Sequence, residues 1–535
     1  MIFLFKRALS VFVLLTAAFS GLCFRTVNIG TNSAQASGSS AGMSIDIATL
    51  RGTVYDCNLK PLTNGETDIY AAAKPTNRAV ALLKDALPSE IFESVKERMS
   101  KGRPVAVKTS SIFENIADIK SVFVPKRYYN NSLACHIIGY LDSEKNGISG
   151  IEKAYNELLL NGSQAVNVRF SANANGRVLL GEDITVAGCE IPKSGIALTI
   201  DFDIQRITEN ALDASGAECA AAVVIDIESG AIRACVSRPL FNQNDVASSL
   251  NNDKSPLINR ALLPFSVGSV FKPVVAASAL ENGISEGFEY NCTGSVTHNG
   301  VTFNCHKESG HGVLDMQGAV AYSCNTYFIA LAHETGADNI IETAAKFGFG
   351  SETALADGIK SSAGILPEAE DLDSRAAVAN ISFGQGALTA TPLQICTMMA
   401  AIARDGVYIR PYLIEGEVGE DGVLTKIKEY SEHRQIISVA TAKKLQKYLA
   451  KVVEYGSGSR AASSFVSVAG KTATAQTGKT ENGEEIYNAW FAGYFPAEKP
   501  RYAVAVLKEN GGEGAISCAP VFKEIAEQVT ENLPK

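Results

Sequence analysis

The chain opens on an apolar run, Ala8 to Phe24 (ALSVFVLLTAAFSGLCF), with Lys6 and Arg7 before it and Arg25 after it. At about 1.5 Å per residue such a run spans about 25 Å, enough to cross a bilayer core with some local thinning. Cations ahead of the run predict a cytoplasmic N-terminus and an exported remainder. The alternative is a cleaved signal peptide using Ala18-Phe19-Ser20 as a small-x-small site; the uncleaved anchor is the preferred reading. No other stretch is long and apolar enough to span. Residues 26–45 (TVNIGTNSAQASGSSAGMSI) are small and polar, as a linker would be. From 46 to 190 the pattern is mixed α/β, with a helix predicted at Glu90–Lys101. Another is predicted in SGIEKAYNELLLNG, where apolar residues recur at helical spacing.

Near residue 197 the pattern changes. ALTIDFDIQRITENALDAS reads as a strand running into an amphipathic helix, and AAAVVIDIESGAIRACVSRP as a hairpin turning at Glu228-Ser229-Gly230. SVAGKTATAQTG, NAWFAGYFP and RYAVAVLKEN read as three further strands, before a closing helix with Pro520 at its start. Strands at both ends of 191–535 with helical sequence between predict one α+β domain whose sheet draws on both termini. The expected division is 1–25 tip and anchor, 26–45 linker, 46–190 N-terminal domain and 191–535 main domain. There are no internal repeats.

Composition narrows the function. A 46% hydrophobic and 20% charged chain of 535 residues is globular, and a net charge of −9 argues against a general nucleic-acid binder. Eleven cysteines are many for an exported chain, and an odd number cannot all pair. Cys23 lies in the anchor; Cys135, Cys189, Cys219, Cys235, Cys324 and Cys396 sit among apolar or small residues and read as free thiols. Cys292 and Cys305 flank a loop-like segment, NCTGSVTHNGVTFNCHKESGHG, and are the candidate disulfide. A metal site of Cys292, Cys305, His306 and His311 is the lesser reading, because compact zinc spacings are missing; the expectation is no metal and no cofactor.

The chemistry lies in three short elements. In LLPFSVGSVFKPVVAASALENG, Asn282-Gly283 would end a helix, and Pro273 is tolerated only in a first turn, so the helix begins near Ser269. Ser269 and Lys272 are then neighbours on one face. A serine hydroxyl needs an adjacent base, and a buried lysine can be one. Free N–H groups at the helix start can stabilise an oxyanion. Alone, Ser-x-x-Lys is weak, since about two copies are expected by chance in a chain this long. It is followed by Ser323-Cys324-Asn325 in AYSCNTYF, and by Lys471-Thr472 at the start of a predicted strand. A helix cap, a loop pair and a surface lysine would explain each separately, but not all three in this order on an exported chain.

These elements resemble the SxxK, SxN and KTG motifs of penicillin-binding proteins, the serine transpeptidases that cross-link peptidoglycan. RGTVYDCNLKPL resembles the RGxIxDRNGxxLA opening of class B members, with Cys57 replacing the arginine. SLACHIIGYL, NGISGIEKAYNELLLNG, LTIDFDIQ, VVIDIESGAI, ISFGQGALTATPLQI, AWFAGYFP and APVFKEIAEQV also resemble family stretches, covering roughly residues 51–530. The resemblance implies a transpeptidase/β-lactamase-like α+β fold, an antiparallel sheet flanked by helices with a helical subdomain. An N-terminal pedestal of the dimerisation type and a single transmembrane helix would precede it. It implies that Ser269 attacks the penultimate D-alanine carbonyl of a stem peptide ending in D-Ala-D-Ala and that Lys272 takes its proton. Ser323 would relay a proton, and Asn325 would orient Lys272 and the substrate amide. Lys471, Thr472 and Thr474 would hold the substrate carboxylate, and the backbone N–H groups of Ser269 and Thr474 the oxyanion. β-Lactams would acylate Ser269. A separate membrane glycosyltransferase would be the partner, and a homodimer is compatible with the pedestal.

One departure stands out: the third motif reads Lys471-Thr472-Ala473, not KTG. On a strand the Ala473 methyl projects to the same side as Lys471, toward the nucleophile helix, where glycine permits close approach; activity is expected to survive it. Asn488 stands where many relatives carry histidine. The rivals are a β-lactamase or D,D-carboxypeptidase on the same fold, and a non-catalytic scaffold. The long region before 190 and the absence of a clear Glu-x-x-x-Asn loop between Asn325 and Lys471 favour transpeptidation.

Overall fold

The computed structural model describes residues 12–13, 15–26, 41–173, 175–427, 433–481 and 483–532. The expected anchor, residues 8–24, lies partly outside them. Its described residues are helical and exposed, and no helix among the described residues is long and apolar enough to cross a membrane. Of the expected linker, residues 27–40 lie outside the described set, and Ala41–Leu50 is already a strand.

The chain forms two units that are not consecutive in sequence. One contains Glu66–Lys126 and Ser163–Ile191 together with the strand Ala41–Leu50. It holds two three-stranded antiparallel sheets. In the first, Gln164–Ala172 lies between Ala41–Leu50 and Thr185–Ala187; in the second, Glu66–Ala73 lies between Val105–Thr109 and Ile119–Lys126. The expected helix at 90–101 is Ser89–Ser100, and it packs Phe92, Val95 and Met99 into a core shared with Leu83 and Val105.

The other unit takes Arg51–Gly65, Arg127–Gly162 and Pro192–Lys535. Two early segments join it through a buried ionic knot: Glu152, fully buried, accepts from Arg127 Nε at 2.6 Å and lies 3.3 Å from Arg51 Nε. The stretch SGIEKAYNELLLNG forms two short helices, Gly150–Ala154 and Asn156–Asn161, rather than one. At the break Asn156 Oδ1 accepts from Gly147 N and from Arg51, tying the helix to remote backbone instead of to its own turn.

The centre of this unit is a five-stranded sheet of β1 (Ala220–Asp226), β2 (Ile232–Arg238), β3 (Ala469–Glu481), β4 (Glu484–Phe495) and β5 (Tyr502–Lys508). Its order is β2-β1-β5-β4-β3, every neighbour antiparallel. The first hairpin and the C-terminal meander meet at β1 and β5, so the sheet is drawn from both ends of the domain. Both faces are covered, and the strands alternate accordingly: Ala220, Ala222 and Val224 enter one core, Ala221, Val223 and Ile225 the other. On the first face lie α1 (Phe202–Ala214) and the closing helix Ala519–Asn532. Asp201 caps α1, its Oδ1 accepting from the N–H of Asp203 and Ile204. On the second face lies Pro392–Ala403, buried at every residue and started by a capping box between Thr391 and Gln394. Beyond it, helices between β2 and β3 build the helical part of the domain. β3 ends the sheet, so one of its edges pairs with no further strand among the described residues.

Candidate active site

The nucleophile candidate sits where the chain threads between β3 and a glycine loop. Gly268–Phe271 is a 3₁₀ turn that runs directly into α2 (Lys272–Glu281), with Pro273 in the first turn, so the α-helix starts three residues later than expected. Gly268 has φ +59°, and a Cβ there would meet Ala475 Cβ at 3.1 Å and Thr474 O at 3.3 Å. Its N–H donates to Gly384 O at 2.9 Å, while a Cβ on Gly384 would lie 2.1 Å from Gly268 O. Two glycines thus let backbone pass backbone and deliver Ser269, half-buried, to the wall of a cleft of about 550 Å³. Ser323, Asn325, Thr472, Ala473 and Thr474 line the same cleft.

Lys272 is wholly buried beneath it. Its Nζ donates to Ser323 O at 2.7 Å, Asn325 Oδ1 at 2.7 Å and Ser323 Oγ at 3.2 Å. From the other side Lys471, also fully buried, donates to Ser323 Oγ at 2.9 Å and to Thr472 O at 3.0 Å. Among the described residues no carboxylate pairs with either amine. Burial pushes Lys272 from its ordinary 10.5 down to about 8. Lys471 is held well below the ordinary lysine value by burial and then by the charge of Lys272. Ser323 is held at φ +57°, a left-handed conformation costly for a residue with a side chain, and its hydroxyl lies between the two amines. Cys324 then caps α3 (Asn325–Thr335), and Asn325 Nδ2 donates to Asn304 O at 3.0 Å.

On β3, Lys471, Thr472, Ala473 and Thr474 pair with Ala492, Phe491, Trp490 and Ala489 of β4. Thr472 Oγ1 shares a 3.0 Å hydrogen bond with Ser457 Oγ, and Thr474 Oγ1 accepts from Gly514 N at 3.3 Å. The Ala473 methyl fits: the residue is 3% exposed and belongs to the core that includes Val267 and Val270. It is absorbed as ordinary packing. Ser457, Tyr487 and Glu513 also line the cleft and were not singled out from the sequence, and His306, offered there as a metal ligand, lines it as well. Ser457 lies in YGSGSR, a small-residue turn with no chemical signature of its own.

Cys292 and Cys305, the candidate disulfide, are free and buried. Their sulfurs point at one imidazole instead: His311 Nδ1 is 3.6 Å from Cys292 Sγ and 3.5 Å from Cys305 Sγ. Cys305 Sγ is also 3.9 Å from Cys324 Sγ. Among the described residues, these four could hold a metal, with ligand atoms all within 4.8 Å of one another.

Residues 220–527 match the penicillin binding protein transpeptidase domain family. The chain belongs to that family. Among curated relatives of this penicillin-binding transpeptidase, "Penicillin-binding protein PbpB" of Mycolicibacterium smegmatis is 31% identical over 436 residues, 76% of this chain and 65% of that one. "Peptidoglycan D,D-transpeptidase MrdA" of Acinetobacter baumannii is 28% identical over 500 residues, 82% of this chain and 73% of that one. The chain thus spans about two thirds to three quarters of these relatives. Among solved structures, the D,D-transpeptidase domain of a peptidoglycan glycosyltransferase from Eggerthella lenta superposes with a TM-score of 0.66 at 27% identity, covering 90% of this chain and 98% of that one. Penicillin binding protein 3 from Mycobacterium tuberculosis, complexed with aztreonam, gives 0.66 at 25% identity, covering 92% and 98%.

Proposed function

We propose that this penicillin-binding transpeptidase is a serine D,D-transpeptidase that cross-links peptidoglycan stem peptides and is acylated by β-lactams at Ser269. The observation that carries the reading is the meeting of two buried amines, Lys272 and Lys471, on the Ser323 hydroxyl in the cleft that Ser269 lines. Ser269 Oγ attacks the penultimate D-alanine carbonyl as Lys272 takes its proton. The developing oxyanion is held by the backbone N–H groups of Ser269 and Thr474, a role suited to the free edge of β3. The terminal D-alanine leaves with a proton delivered through Ser323. An acceptor amine then attacks the ester along the reverse route. Lys471, Thr472 and Thr474 hold the terminal carboxylate, and Ser457 braces Thr472.

In the same reading residues 8–24 are a single-pass anchor with the catalytic unit outside the membrane, residues 46–190 a pedestal suited to homodimerisation, and glycan polymerisation the work of a separate membrane glycosyltransferase. The support is the apolar run flanked by cations, and the names of relatives that act on peptidoglycan.

Incubation with a fluorescent penicillin followed by peptide mass mapping tests the proposal. One adduct on Ser269 is expected, lost in Ser269→Ala with unchanged thermal stability. An adduct elsewhere, or labelling that survives the substitution, overturns it. Release of D-alanine from a D-Ala-D-Ala peptide with and without an added amine separates cross-linking from hydrolysis.

A further inference from the structure

The loop 292–311 has an unusual burial pattern. Of its residues only Cys292, Gly294, Phe303, Cys305 and Gly310 are buried, so its thiols point inward from a segment with almost no apolar core of its own. Segments that cannot bury enough apolar surface are commonly held by a covalent or metal staple. The thiols here are not joined, and they gather with His311 and Cys324 around one point. The separations identify what would fit. A tetrahedral zinc, with Zn–S near 2.3 Å and Zn–N near 2.0–2.1 Å, requires S···S of about 3.8 Å and S···N of about 3.5 Å. The structure has Cys305 Sγ to Cys324 Sγ at 3.9 Å, and His311 Nδ1 to Cys305 and Cys292 sulfurs at 3.5 and 3.6 Å.

We infer that Cys292, Cys305, His311 and Cys324 bind one zinc ion in a closed Cys₃His site that holds the Ser323-Cys324-Asn325 turn in its working conformation. Three soft thiolates and one imidazole select zinc over oxygen-seeking divalent ions, and with four protein ligands there is no open position for chemistry. The ion is structural. The site is built from elements that already meet: the strand Tyr290–Cys292 pairs with Gly312–Leu314, bringing His311 beside Cys292, and Cys305 N donates to Gly294 O. His306, which the sequence offered as a ligand, is exposed and lines the cleft instead. Ligand spacings of twelve, five and twelve intervening residues, with the last ligand inside a catalytic motif, hide the set from sequence patterns.

The consequence for the catalytic cleft rests on the transpeptidase reading. Cys324 lies between the strained Ser323 and Asn325, and Asn325 also donates to Asn304, the neighbour of Cys305. Ligation would pin this turn from its buried side, making Cys324 a positioning residue. It would also keep Cys305 and Cys324 from pairing with each other when the exported protein meets a thiol oxidant.

The test uses the full chain in detergent, purified in chelator-treated buffer. Elemental analysis is expected to give one zinc per chain, and cobalt exchange to give thiolate-to-cobalt charge-transfer and tetrahedral d–d absorption. Cys292→Ser and His311→Ala, neither of which touches the catalytic groups, are expected to lose most of the zinc and to slow penicillin acylation about tenfold or more. Stripping zinc from the wild-type protein and restoring it should lower and recover the same rate, which covers variants that fold poorly. A wild-type chain that binds neither zinc nor cobalt, or a Cys305–Cys324 disulfide in the functional protein, overturns the inference. Zinc bound at one per chain with acylation unchanged on stripping overturns the link to the turn. Absence of any Ser269 adduct would count against the transpeptidase reading alone, because metal content is read without it.

Discussion

Raising the pH from 7 to 9 is expected to speed acylation of Ser269 about tenfold, because the proposed base, Lys272, is an amine that burial holds near pH 8. Among the described residues Lys272 has no carboxylate partner, and its Nζ donates to two oxygens of Ser323 and to the Asn325 amide oxygen. With a value of about 8 in place of 10.5, about a tenth of the enzyme carries a neutral Lys272 at pH 7 and about nine tenths at pH 9. An exposed lysine would be neutral in about 0.03% of molecules at pH 7, so burial is worth about 300-fold in available base, or about 3 kcal/mol. The same depression acts against stability. The folded value lies below the unfolded one, so between about pH 8 and 10.5 the unfolded chain binds more protons and stability rises with pH across that window. Below about pH 8 the cost of burying the ammonium is fully present.

Stopped-flow acylation by a fluorescent penicillin from pH 6 to 10, corrected for hydrolysis of the probe, reads the first effect. A rise with an apparent midpoint near 8 is expected, belonging to the Lys272–Lys471 pair as a unit because both amines share the Ser323 hydroxyl. Lys272→Arg, whose guanidinium keeps its proton, is expected to lose on the order of 10³-fold or more and to flatten the profile. A flat profile between pH 7 and 9 in the unaltered protein, or a midpoint near 10.5, would refute Lys272 as the buried base.

Two substitutions test how the cleft is held. Gly384→Ala puts a methyl 2.1 Å from Gly268 O at φ +77°, and is expected to destabilise by about 2 kcal/mol or more and to slow acylation by displacing the Ser269 turn, measured by chemical denaturation and labelling rate. Ala473→Gly restores the family motif but removes a buried methyl from a strand; it should cost about 1–2 kcal/mol of stability while leaving acylation within about threefold. A large rate gain would mean that the methyl obstructs the cleft.

The fold was legible where local pattern and burial agree. AAAVVID reads as a strand because both its faces enter a core, and Glu228-Ser229-Gly230 turns the chain with Gly230 at φ +79°. The helix break at Tyr155 was not legible, since it is set by Asn156 and Glu152 reaching Arg51 and Gly147, contacts that no periodicity in the stretch encodes. The site divides the same way. Motif order singled out Ser269, Lys272, Ser323, Asn325 and Lys471, which the fold brings together around one cleft. The convergence of Cys324 with Cys292, Cys305 and His311 depends on two hairpins folding over α3, and a cysteine among small residues reads as plain core until they do.

The weight of the site falls on Ser323, and proton traffic explains why. Two lysines charged around one hydroxyl would repel, and burial removes the water that would screen them. One shared acceptor lets the free protein keep a low count of protons there. In the proposed mechanism, a substrate carboxylate arriving beside Thr472 and Lys471 would favour a proton on Lys471, and repulsion would then disfavour one on Lys272. Substrate binding would therefore create the base that substrate needs, moving the midpoint for the bound complex below the value for the free protein. A hydroxyl can serve this exchange only if it faces both amines at once, and an ordinary helical or extended residue in this turn would point it elsewhere. The left-handed backbone of Ser323 is thus held by Lys272, which donates both to its carbonyl and to the amide oxygen of Asn325 at the head of α3.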